Sequence, residues 1–163
     1  MPFVFDEGNL KLKTATRVFD VAKLCSEEGH PFYLYDLDGI IERAQLFVAA
    51  FPGRSKAHYA IKANNHPQIL AALARQVMGA DVVSGGEIDE ALDAGFAAHD
   101  IIFSGVGKTR DELKKAIQCQ IKQINIESPA ELARVVELAE SMKQTVAVAF
   151  RMNPDVNPDT HPY

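Results

Sequence analysis

Apolar residues along this chain alternate between short β-rich runs and longer stretches with helical spacing, and that alternation predicts an α/β fold with parallel strands. Phe32–Tyr35 (FYLY) is predicted as the first strand, and the spacing of Ile40, Ile41, Ala44, Phe47 and Val48 predicts a helix over Leu37–Phe51. Strands are then expected at Lys56–Lys62, Ala80–Ser84, Asp100–Ser104, Gln123–Glu127 and Gln144–Arg151. The intervening helices fall at Pro67–Gln76, Glu87–Ala94, Asp111–Gln118 and Pro129–Ser141. Pro67 suits a first helical turn, where its missing N–H costs nothing, and Ser128 can cap the last helix.

The five strands from Lys56 onward recur roughly every 20 to 25 residues, the spacing of a (β/α) barrel, although a doubly wound open sheet shares it. Polar and glycine residues stand directly after the strand ends, as Lys62-Ala63-Asn64, Ser84-Gly85-Gly86, Ser104-Gly105 and Arg151-Met152-Asn153. In a barrel those ends converge on the face that carries chemistry. Eight units need about 250 residues, so the 163 residues here supply about five. An open half-barrel of this kind is expected to expose an apolar inner face and to be poorly stable unless another copy or the rest of a longer polypeptide covers it.

Composition narrows the function classes. The chain is 47% apolar and 24% charged, that of an ordinary globular domain, with a formal charge of −5. The one basic cluster, Lys108 to Lys115, is interrupted by Asp111 and Glu112, so nucleic acid is not an expected partner. Cys25 and Cys119 lie far apart without metal-ligand spacing, so neither a disulfide framework nor a bound metal is expected. Asp6 and Glu7 stand where a secretory signal would carry positive charge, and no apolar run reaches the roughly 18 residues of a membrane span, so a cytoplasmic protein without membrane attachment is expected.

Lys62 ends the run Tyr59-Ala60-Ile61, which predicts an amine at the mouth of a largely dry pocket. A desolvated ammonium releases its proton more readily, and the neutral amine attacks aldehydes. Position alone fits a lysine snorkelling to the surface better, because strand-end lysines are common. Gly85 and Gly86 read as a strand-to-helix turn that needs no ligand to explain it. Gly105 and Gly107 do not form a nucleotide loop, because Ile102 occupies the position of its first glycine.

Five strings together carry a resemblance: HYAIKAN (His58–Asn64), GADVVSGGE (Gly79–Glu87), IIFSGVGKT (Ile101–Thr109), INIES (Ile124–Ser128), and RMNPDV followed by THPY. In order and spacing they resemble the diaminopimelate decarboxylases, from about Pro31 to the last residue. The resemblance implies a fold-type III enzyme whose eight-stranded barrel is of the alanine racemase-like type and is joined to a β-domain. Residues 1–30 would contribute to that β-domain, and residues 31–163 would form the first part of the barrel. It also implies pyridoxal phosphate as cofactor, carried covalently by Lys62, with Asp81 and Arg151 in the cofactor site. Read from the residues alone, Asp81 also fits a solvated or helix-capping carboxylate. Arg151 also fits a structural ion pair, with Asp81 as its expected partner. His161 lies in a proline-rich loop, which the resemblance makes an active-site lid, and the remaining histidines read as ordinary turn or surface residues.

The implied reaction is decarboxylation of meso-diaminopimelate to L-lysine by a homodimer. Alternatives are a related decarboxylase of ornithine, arginine, D-lysine or carboxynorspermidine, or a non-catalytic pyridoxal-phosphate-binding protein of the same fold. The resemblance puts the main phosphate-binding glycine loop beyond Tyr163, so residues 1–163 alone are expected to be inactive.

Overall fold

A computed structural model describes residues 2–14, 16–50, 56–152 and 154. The first strands are β1 (Phe3–Asp6), β2 (Asn9–Lys13) and β3 (Val18–Asp20), an antiparallel sheet in that order. Glu7 and Gly8 both have positive φ (49° and 80°), the backbone of a tight two-residue hairpin between β1 and β2. Helix α1 (Val21–Glu28) is capped by Asp20, whose carboxylate accepts the Lys23 N–H, and ends on left-handed Gly29.

Residues 31–36 form no strand. Strand identity requires a hydrogen-bonded neighbour, and among the described residues Phe32–Tyr35 has none. Tyr33 and Tyr35 stack on each other instead, ring centroids 6.2 Å apart. Helix α2 (Leu37–Ala50) follows.

The second sheet contains β4 (His58–Ala60), β5 (Gly79–Val82), β6 (Ile101–Phe103), β7 (Gln123–Ile126) and β8 (Val148–Phe150), all parallel and side by side in chain order. A doubly wound sheet reverses its strand order at a switch point. No reversal occurs here, so the winding is that of a (β/α) barrel, with five of its strands present. The crossover helices are α3 (Pro67–Ala74), α4 (Gly85–Asp93), α5 (Arg110–Gln118) and α6 (Pro129–Met142).

The core lies between the helices and the outer face of this sheet. Ala80 and Val82 of β5, Ile101 and Phe103 of β6, and Ile124 and Ile126 of β7 alternate onto that face and meet Ile69, Leu70, Leu73, Ile88, Leu113, Ile117, Val135 and Leu138 from the helices. The other parity turns Asp81, Ile102, Gln123 and Asn125 to the opposite, half-buried side. That inner face is therefore largely polar at β5 and β7, which corrects the expectation of an apolar one. Its side chains bond to each other as described below.

Candidate active site

Three helices that follow strands begin with the same device. Ser84, Thr109 and Ser128 cap α4, α5 and α6, each accepting the backbone N–H of a glutamate three residues on: Glu87, Glu112 and Glu131. Each glutamate turns back on the strand-to-helix connection. Glu87 accepts from the Val83 N–H at 2.7 Å, Glu112 from the Thr109 N–H at 2.9 Å, and Glu131 from the Glu127 N–H at 2.8 Å. The Ser/Thr-x-x-Glu spacing is the sequence signal for these three carboxylates.

Gly85 and Gly86 lie within α4, as its first turn, rather than in a loop ahead of it. The Gly85 N–H donates to Glu112 Oε1 at 2.9 Å, so the positive end of α4 already holds a carboxylate from the neighbouring unit. A Cβ at Gly85 would stand 2.9 Å from Glu112 Cγ, so this approach depends on glycine. The Gly85 and Thr109 N–H groups hold the Glu112 carboxyl below the usual carboxylate range. A depressed folded-state value gives stability that is present above the ordinary carboxylate range and is lost as pH falls through the lowered value. Glu112→Gln is expected to cost about 1 kcal/mol at neutral pH. It should also flatten the acid limb of a stability-versus-pH curve; an unchanged limb would remove Glu112 from this role.

Across the inner face runs a row of polar groups. Gln123 Nε2 donates to Asn125 Oδ1 at 2.7 Å, Asn125 Nδ2 to Ser104 Oγ at 3.0 Å, and Ser104 Oγ to Asp81 Oδ1 at 2.5 Å. The row spans β7, the residue after β6, and β5. Asp81 is thus neither a helix cap nor a partner of Arg151. Arg151 follows β8, three strand spacings from β5 or about 14 Å in a flat sheet. Its Nη1 lies 3.4 Å from Glu127 Oε1, and its side chain is 68% exposed. The expected Asp81–Arg151 contact is therefore replaced by Asp81–Ser104 and Arg151–Glu127.

Lys62 does not lie in the strand. β4 ends at Ala60, and residues Ile61–Ala63 form a 3-10 turn that leads to α3. Ala60 is in register with Asp81, so Lys62 emerges just past the strand end beside the polar row. It is exposed, and among the described residues it makes no hydrogen bond or ion pair. Of its apolar neighbours in the run, Ile61 is fully buried on the helix side, while Tyr59 and Ala60 are half-buried. A crevice of about 740 Å³ lies against Asn64, Asn65, His66, Tyr35 and Glu90, and Lys62 does not line it.

The basic cluster is largely spent. Lys108 is buried, Arg110 forms a two-pronged pair with Glu137 at 2.9 and 2.8 Å, and Lys115 Nζ lies 2.6 Å from Asp89 Oδ2. Of the histidines, His66 caps α3 by accepting the Gln68 N–H, and His58 is half-buried in β4. His161 lies outside the described residues.

The family model "pyridoxal-dependent decarboxylase, pyridoxal binding domain" matches residues 37–163. The chain belongs to that family. It is 40% identical over 165 residues to the diaminopimelate decarboxylase of Zymomonas mobilis, covering 99% of this chain and 38% of that protein. Among solved structures it is similar to diaminopimelate decarboxylase from Helicobacter pylori complexed with L-lysine, at a TM-score of 0.82 and 41% identity, covering 88% of this chain and 37% of that one. The M. jannaschii enzyme in co-complex with L-lysine gives a TM-score of 0.85 at 31% identity, covering 98% and 38%. These neighbours give the barrel its alanine racemase-like, fold-type III class. The chain spans less than two-fifths of the length of these relatives.

The donor set fits part of the family's cofactor, pyridoxal phosphate. An unpaired primary amine and a row of carboxylate, hydroxyl and amide groups suit an aromatic aldehyde with polar ring substituents. For its phosphate no cradle stands among these helix starts, since Glu87, Glu112 and Glu131 occupy the turns of α4, α5 and α6. The phosphate end must be held by other residues.

Proposed function

We propose that the protein containing this chain decarboxylates meso-diaminopimelate to L-lysine, with Lys62 as the residue that carries pyridoxal phosphate and Asp81 and Arg151 as contributors to the cofactor pocket. The observation that carries the reading is the placement of unpaired Lys62 beside the Asp81–Ser104–Asn125 row, on the strand-end face of a barrel whose relatives bear that enzyme's name. When bound, the cofactor supplies an electron sink for the pair left on carbon when carbon dioxide departs.

The chain's own residues have separate tasks. Lys62 supplies the amine and, being tethered by a short turn to β4, presents it at one point on the face. Asp81 is oriented by the Ser104 hydroxyl, which leaves its second oxygen to accept from a neighbouring donor. Arg151 brings a guanidinium to the far side of the face, where Glu127 holds it. The reading extends to a cytoplasmic homodimer, on the strength of the family resemblance. The separate antiparallel sheet of β1–β3 supports assigning residues 1–30 to a β-domain and residues 31–163 to the barrel.

The test is turnover by the full-length protein loaded with pyridoxal phosphate. Release of carbon dioxide and formation of L-lysine from meso-diaminopimelate is expected, well ahead of ornithine, arginine, D-lysine or carboxynorspermidine. Faster turnover of any of those four would overturn the substrate assignment. Cofactor binding without turnover of any would leave a binding protein.

A further inference from the structure

Among the described residues, Lys108 and Glu131 are the two buried charged groups. The Lys108 side chain has no exposure, and its Nζ donates to the Gly105 carbonyl at 2.6 Å, the Asn125 carbonyl at 2.6 Å and Glu131 Oε1 at 3.1 Å. Three donors meet three acceptors, which satisfies the ammonium completely. The Phe103 ring lies beneath it, 5.4 Å from Nζ to the ring centre. Glu131, itself buried, uses its other oxygen to accept the Glu127 N–H. A buried ion pair is a weak source of net stability compared with an apolar pair of the same shape, and its best-attested use is to fix one arrangement among several.

What this pair fixes is the backbone that carries the inner face. The Asn125 carbonyl and the Glu127 amide are held from behind by Lys108 and Glu131. The Asn125 side chain bonds Ser104 and, through it, Asp81, while the Glu127 side chain meets Arg151. Gly105, whose carbonyl takes the third bond, follows Ser104 directly and has φ of 92°. One ammonium therefore joins the ends of β6 and β7 to the start of α6 at the points where the polar row is attached.

We propose that Lys108 is a positioning residue: with Glu131 it clamps the ends of β6 and β7 so that Asp81, Ser104, Asn125 and the Glu127–Arg151 pair are set in the geometry that receives the cofactor. This rests on the cofactor reading above. Lys108 does not touch the cofactor; it acts through Asn125 and Glu127.

The experiment uses the full-length apoprotein, thermal unfolding, and titration with pyridoxal phosphate. Lys108→Met strands a buried carboxylate and should lower Tm by about 10 °C. Lys108→Met combined with Glu131→Gln removes both charges, keeps an acceptor for the Glu127 N–H, and should return Tm to within about 3 °C of the parent. A positioning role leaves cofactor Kd at least about tenfold weaker in this double variant despite the recovered stability, because the Gly105 and Asn125 carbonyls have lost their common donor. Restored Tm with Kd within about twofold of the parent reduces Lys108 to a structural role and overturns the proposal. A second measurement needs no variant. If the clamp orders the site, cofactor binding to the parent raises hydrogen-exchange protection of the Glu127 amide more than that of the Gly79 amide at the opposite end of the strands, and equal changes at the two also overturn it. Failure of the parent to bind pyridoxal phosphate at all would instead sink the cofactor reading, a distinct result.

Discussion

Replacing Lys62 by alanine is expected to abolish covalent retention of pyridoxal phosphate and to lower decarboxylation by the full-length protein by about three orders of magnitude, within the range that one positioned acid–base group contributes. The other lysines of the described barrel segment are committed or misplaced. Lys56 pairs with Asp100, and Lys122 Nζ lies 3.4 Å from the His58 ring, both at the opposite, N-terminal ends of the strands. Lys114 and Lys115 ride on α5, and Lys143 ends α6. Lys108 shares the strand-end face with Lys62, but its three protons are all engaged in the interior. Lys62 alone among these combines the correct end of the strands, exposure and an unengaged amine. Borohydride reduction of the holoprotein followed by peptide mapping should place the label on the peptide that contains Lys62. A label on Lys108, or retention of covalent cofactor by Lys62→Ala, would contradict the assignment.

The barrel segment was legible because its local signals agree with its global winding. Helix starts at Pro67 and at Ser128-Pro129 were readable from capping chemistry, and the strand spacing reappears in β4 to β8. What failed depended on partners that periodicity does not encode. Phe32–Tyr35 has strand composition but no neighbouring strand among the described residues, so its aromatic rings stack on each other. The β1–β2 hairpin is weakly signalled in the sequence, because its turn, Glu7-Gly8, lacks the Asn-Gly or Asp-Gly signature while using the same positive-φ backbone.

The site divides in the same way. Lys62 and Asp81 could be located from the strings that contain them, but Asp81's partner could not, because it depends on how many strands separate two positions. Ser104 on the adjacent unit reaches Asp81; Arg151, three strands away, meets Glu127 instead. In the sequence Lys108 is one member of an interrupted basic cluster, and its burial is not legible there because two of its three acceptors, the Asn125 carbonyl and Glu131, come from distant parts of the chain.

Gly79→Ala is expected to destabilise the folded protein by about 3 kcal/mol, the upper part of the usual range for overfilling a core site. Gly79 opens β5 in register with His58 of β4. A Cβ there would overlap the Asp100 backbone carbonyl oxygen and the His58 ring, so both walls would have to move. Neither moves cheaply. The Gly79 N–H is bonded to the Ala57 carbonyl at 2.8 Å, and Asp100 leads directly into β6, the other neighbour of β5, with its carboxylate paired to Lys56. His58 is pinned by Nδ1 against the Lys56 carbonyl at 3.0 Å, and burial, then the Lys122 ammonium, hold its pKa below the usual imidazole value. Spreading the strands to admit a methyl group would break hydrogen bonds on one side of β5 or the other. Gly86→Ala is the matched control: in the first turn of α4 a Cβ meets nothing nearer than Ser84 Oγ at 3.8 Å, and alanine there should be neutral or stabilise by up to about 1 kcal/mol. Urea unfolding of the two variants of the full-length protein separates a steric cause from a general intolerance of glycine replacement. Equal losses for both would show that the close approach at Gly79 does not set the cost.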